Sequence, residues 1–149
     1  KCSIGKRGIG IKKKEGDLIT PKGTFKKKQI LYRADRIKLY STKIKKKVIS
    51  KKLGWCDDQN SKSYNKLIKY PFKFRSEKLY RSDNIYDIIL VLNYNMSPVK
   101  NGKGSAIFIH VAKRNYKKTL GCIAINKIAL LKIISEIKKN TIVEILDQK

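Results

Sequence analysis

The chain holds one histidine, His110, and three cysteines, Cys2, Cys56 and Cys122. Cys122 follows Gly121 and lies twelve residues after His110. A thiol acts as a nucleophile when a base stands within hydrogen-bond reach or a cation lowers its pKa, and an imidazole can supply either. Gly121 lacks a Cβ, so it permits a tight turn and leaves room for a substrate carbonyl. Backbone N–H groups near Gly121 and Cys122 could hold the oxyanion of a tetrahedral intermediate. The chemistry is thus nucleophilic attack on a carbonyl. Each residue also has a structural reading: His110 as a buried strand histidine with a hydrogen bond, and Cys122 as a small core residue. With no CxxC pair and one His, neither a metal site nor a cofactor is expected. The odd count leaves at least one thiol unpaired within the chain, and a Cys2–Cys56 disulfide is compatible with it.

The elements that must position this pair are short. Ser105–Val111 alternates, with Ala106, Phe108 and His110 on one face and Ile107, Ile109 and Val111 on the other. Lys113–Lys118 is a basic loop, and Gly121–Ile125 a short strand or turn that returns beside the His110 strand. Asn84–Tyr94 has the apolar centre Ile88–Leu92 and reads as a buried strand. Glycines and Pro21 break residues 1–30 into short strands and turns. Gln29–Arg33 is a strand, Lys47–Ser50 a weaker one, and Gly54–Asn65 an irregular polar stretch. The spacing of Leu130, Ile133, Ile134 and Ile137 predicts one helix over Lys127–Lys138, capped by Asn126. Lys138 and Lys139 suit its negative end, and Thr141–Leu146 is a last strand. The expected class is mainly β, sandwich-like with mixed sheets and one C-terminal helix, as one domain over 1–149.

Lys and Arg number 37 against 11 Asp and Glu, for a formal charge of +26. Such a field attracts polyanions. The lysines are dispersed along the chain, however, whereas a dedicated nucleic-acid binder concentrates charge on one face or helix. Nucleic acid is therefore not the expected partner, although an anionic wall polymer is compatible with the charge. A scarcity of carboxylates also favours a lowered pKa at Cys122. No apolar run approaches the ~20 residues of a membrane helix. The first residues show neither a signal-peptide h-region nor an initiator Met, as in a trimmed chain.

Several segments, in order, resemble the YkuD family, the L,D-transpeptidase catalytic domain of bacterial cell-wall enzymes. Lys14–Asp17, Thr20-Pro21 and Gly23–Phe25 are similar to its early "EGD..TP.G.F" segment. Tyr32–Arg36, Gly54–Asp58, Tyr64-Asn65, Tyr86-Asp87 and Asn93–Asn95 are similar to a compact branch. Gly104–His110 followed by Thr119–Cys122 is similar to the core signature.

The resemblance implies a β-sandwich-like domain with Cys122, His110 and Gly121 in a cleft, and peptidoglycan stem peptides as donor and acceptor. Cys122 would form a thioester with the third stem residue and expel terminal D-Ala. An amine acceptor gives a cross-link, water a carboxypeptidase and a D-amino acid an exchange. It further implies a periplasmic or wall location, with the cytoplasm open for a chain lacking a signal segment. A monomer is expected. The chain departs from better-known members at Leu120, where they carry a second histidine, and at Ile123–Ile125, where they carry an Arg. Arg33, Arg36, Arg81 or Arg114 would then meet the substrate carboxylate. Thr119 is expected to orient His110 or a loop carbonyl, and Gly104 and Ser105 to shape the cleft floor. Trp55 and Tyr86 are expected as its walls or as core. Asp57 and Asp58 either meet a cationic side chain or cap a loop, and Glu15 and Asp17 are read as framework.

Overall fold

A computed structural model describes residues 1–39 and 42–147; Gln148 and Lys149, the end of the expected domain, lie outside them. The chain forms β1 (Cys2–Ser3), β2 (Ile9–Gly10), β3 (Thr20–Pro21), β4 (Gly23–Tyr32), β5 (Lys46–Val48), β6 (Leu53–Cys56), β7 (Leu67–Lys69), β8 (Ser76–Lys78), β9 (Ile88–Leu92), β10 (Phe108–Val111), β11 (Ile123–Ile125), α1 (Lys127–Glu136) and β12 (Ile142–Ile145). This is the expected mainly β fold with one late helix.

Five strands set out the middle of the main sheet in the order β1-β11-β10-β9-β4, with β12 and β5 both paired to β4. All five residues of β9 are buried, which requires both faces of the sheet to be covered. On one face Ile88, Leu90, Leu92, Ile109 and Val111 pack against Leu130, Ile134 and Ile137 at the helix. On the other, Ile89, Val91 and Phe108 pack against Leu53 and Trp55. Those two belong to a second, three-stranded antiparallel sheet in the order β7-β6-β8. The strand alternation predicted for residues 105–111 divides its side chains between these two cores.

Several expectations change. The polar composition from Gly54 suggests an irregular stretch, yet Leu53–Cys56 is the fully buried central strand of the second sheet. Its polar flanks hid a run of only four residues. The spacing puts Ile133 on the apolar helix face, but it is exposed, while Leu130 and Ile134 are buried. The helix starts as expected: the Asn126 side chain accepts the Ile128 and Ala129 N–H groups. It ends at Glu136, before Lys138 and Lys139. All three cysteines are free, so Cys2 and Cys56 are not bridged. No helix among the described residues is long and apolar enough to cross a membrane.

Candidate active site

β10 and β11 lie side by side and run parallel, with Ile109 opposite Ile123 and His110 opposite Ala124. Cys122 precedes Ala124 by two positions and so falls on the His110 face of the sheet. Both side chains line one cleft of about 1130 Å³. The short loop between the strands is held by the first residues of the chain. Thr119 N–H donates to Ile4 O at 2.9 Å, Lys6 N–H to Thr119 O at 3.0 Å, and Ser3 Oγ to Tyr116 O at 2.8 Å.

His110 is buried, and its Nδ1 lies 3.0 Å from Val111 O. A carbonyl accepts only, so Nδ1 carries the proton and Nε2 keeps its lone pair as a base. The Tyr86 ring stands edge-on to the imidazole, with centroids 5.3 Å apart. The Cys122 thiol donates to Ala106 O at 3.0 Å and accepts the Phe108 N–H at 3.4 Å. Ala106 turns its carbonyl to the sulfur from a left-handed conformation, φ 53°, which is costly for a residue with a Cβ.

Burial pushes the Cys122 thiol up to about 12, and nearby Glu77 adds to the rise. Burial also pulls His110 below its ordinary value, with Arg81 and Lys113 lowering it further. The expectation of a lowered Cys122 pKa is therefore overturned. Few carboxylates surround the chain as a whole, but the sulfur is desolvated and one of those few is close by. Both shifts favour the uncharged forms, a neutral thiol and a neutral imidazole.

The remaining sequence-expected residues divide. Thr119 lines the cleft; its Oγ1 accepts the Gly121 N–H at 3.1 Å and donates to Cys122 O at 2.5 Å. It thus holds the loop that carries Cys122 rather than His110, and the Gly121 amide is spent. Ser105 lines the cleft with a buried Oγ that has no hydrogen-bond partner among the described residues. Tyr86 lines it too, and donates to Glu77 Oε1 at 2.7 Å. Gly104 stands behind the wall: its amide donates to the Tyr64 hydroxyl at 3.0 Å, and a Cβ there would press on the Lys12 stem at 2.4 Å.

Trp55 and Arg33 are not in the cleft. Trp55 is core, edge-on to Phe108 at 5.1 Å, and its indole N–H donates to Asn65 at 3.1 Å. Arg33 is buried, forked onto Asp35 at 2.8 and 2.5 Å and stacked over Tyr80 at 3.6 Å. Its Nη1 also donates to Arg81 O at 2.8 Å, so the side chain is committed to the framework away from the cleft. Of the four arginines considered, Arg81 lines the cleft, held to Asp83 at 2.7 Å. Asp57 lines it while pairing with Arg75 at 3.1 Å. Asp58 caps its own loop through Asn60 N–H at 3.0 Å.

Two residues that spacing did not single out complete the site. Asn65, itself in a left-handed conformation, accepts the Trp55 indole and the Ala106 N–H and donates to Tyr94 O and Asn95 O. It locks the turn that presents Ala106 O to the thiol. Lys12, paired with buried Asp17 at 2.5 Å, lines the cleft and would lie 3.6 Å from a Cβ at Gly121. Asp17 is framework, as expected, binding the Lys13 and Ile19 N–H groups as well. The sequence signal for Asn65 was its place in the quoted Tyr64-Asn65 pair, whereas Lys12 lies outside the quoted motifs. Among the described residues no three His, Cys, Asp or Glu stand together to hold a metal ion.

No curated protein matches this sequence. The family model of the YkuD L,D-transpeptidase catalytic domain matches residues 1–145, nearly the whole chain and every element just described. A cleft with a cysteine and the lone histidine on adjacent strands, inside a match of that extent, places the protein in the YkuD family of L,D-transpeptidase catalytic domains.

Proposed function

We propose that this protein is a cysteine acyltransferase acting on peptidoglycan stem peptides. One observation carries the reading: Cys122 and His110 share one face of adjacent parallel strands in the cleft, with His110 Nδ1 tied to Val111 O. His110 Nε2 takes the thiol proton as Sγ attacks the carbonyl carbon of the third stem residue. The tetrahedral intermediate collapses and the C–N bond to terminal D-Ala breaks. The imidazolium returns its proton to the departing amine, leaving a thioester on Cys122. An acceptor amine then attacks the thioester, passes its proton to His110, and expels Cys122 as the thiol.

General-base attack suits the electrostatics better than a standing thiolate. Both pKa shifts favour the neutral pair, so the proton moves only as the substrate carbonyl is attacked. Arg81, Lys113, Lys117 and Lys118 line the cleft as cations for substrate carboxylates. Glu77, close to Arg81, and Asp57, paired with Arg75, line the same cleft as carboxylates for an amine. The site of action is where peptidoglycan lies, outside the inner membrane.

Incubation with a tetrapeptide-bearing muropeptide tests the reading by product mass. A cross-linked dimer is expected; a tripeptide stem or an exchanged stem would reassign the acceptor to water or a D-amino acid. Cys122→Ala should abolish all three products and leave the fold intact. Turnover that survives Cys122→Ala would end the proposal.

A further inference from the structure

The peptide that carries the nucleophile is pinned from behind. Thr20 is fully buried, and its Oγ1 donates to Gly121 O at 2.9 Å. The same oxygen accepts the Gly5 N–H at 2.8 Å, so the hydroxyl proton is committed to Gly121. Gly5 can come this close because it has no Cβ; one built there would lie 2.3 Å from Leu18 O.

A trans peptide is planar, with its C=O and N–H pointing in opposite directions. Drawing Gly121 C=O into the interior therefore turns the Cys122 N–H outward, toward the side where Gly121 and Cys122 line the cleft. Gly121 allows this plane at φ 140°, a region that an L side chain rarely enters. The preceding amide is not free to help, because Gly121 N–H donates to Thr119 Oγ1.

We propose that Thr20 is a positioning residue that aims the Cys122 N–H at the oxyanion formed during attack on a carbonyl. The inference rests on the acyl-transfer reading above and adds a residue to it. Loss of the hydroxyl would leave Gly121 O without its buried donor and release the 121–122 peptide to rotate.

Two reagents separate this role from general support of the fold. A carbapenem acylates the thiol through a tetrahedral oxyanion. Iodoacetamide alkylates it by displacement at a saturated carbon, with no oxyanion. In Thr20→Val, acylation is expected to slow about ten- to a hundredfold while alkylation stays within about twofold, and Thr20→Ser is expected to recover most of the loss. Equal losses with both reagents, or unchanged acylation in folded Thr20→Val, would overturn the inference.

Should Thr20→Val fail to fold, the Cys122 amide signal of the wild-type protein decides by nitrogen–proton NMR. A downfield proton shift on acylation supports the assignment, and an unmoved signal overturns it. Wild-type protein that iodoacetamide alkylates at Cys122, but that neither carbapenem nor muropeptide acylates, would remove the acyl-transfer reading and this inference with it. The other negative outcomes remove the inference alone.

Discussion

At Cys122 and His110, burial moves two titrations in opposite directions, and the signs give distinct expectations. Thiolate formation is held back to about 12. Iodoacetamide alkylation tracks thiolate, so its rate should keep rising with pH beyond the ordinary thiol value of 9.0 rather than level off there. Acyl transfer instead needs His110 unprotonated. Its pKa lies below the ordinary 6.5, so the acid limb of the kcat/KM profile should have its midpoint below 6.5. Rate measurements from pH 4 to 11, on an order-of-magnitude grid of buffers, check both. An alkylation rate that plateaus near neutrality would mean a standing thiolate–imidazolium pair, contrary to the burial seen here. The same two residues illustrate what residue type alone conveys. Their chemistry is plain from the sequence, whereas the direction of each shift depends on how much water the fold leaves around them.

At the scale of elements, the site is built by three parts distant in the chain. β10 supplies His110, the turn into β11 supplies Cys122, and the loop after β6 supplies Asn65. Asn65 joins Trp55, Ala106, Tyr94 and Asn95 through four hydrogen bonds in a buried setting. Asn65→Ala would strand those partners without replacement, at a cost of about 2–4 kcal/mol. Urea denaturation should show that loss. Since Ala106 would also be released from its left-handed turn, acylation of Cys122 should fall in the fraction that stays folded. A stability change below about 0.5 kcal/mol would show that the clamp is not a clamp. Asn65 was legible as part of a motif, but its partners lie 10 to 41 residues away. No local pattern encodes contacts of that span.

Over the whole molecule, the +26 charge is spread across the surface and reaches the cleft, where seven lysines and arginines stand with Glu15, Asp57 and Glu77. The dispersed lysines set a long-range positive field that does not involve the uncharged Cys122. Retention on an anionic polymer should therefore fall steeply with salt and be unchanged by Cys122→Ala. Chromatography on an immobilised polyanion from about 50 to 500 mM NaCl reads this directly, with most retention expected to vanish within that range. Retention that persists at high salt, or that depends on Cys122, would tie the charge to the active cleft instead of the surface.

The sequence by itself determined the alternation of β10, the apolar run of β9, the cap and start of α1, and the pairing in kind of a thiol with an imidazole. All of these rest on period, turn chemistry or residue type, which are local. Tertiary structure decided what depends on neighbours far along the chain. Trp55 and Arg33 went to the core and to an ion pair. Ile133 went to solvent, because α1 buries a narrower face than its spacing allowed. Thr20 came to sit behind a glycine 101 residues later. Burial, not net charge, sets the direction in which the Cys122 thiol shifts, because desolvation is fixed by packing while composition only counts the charges that packing then distributes.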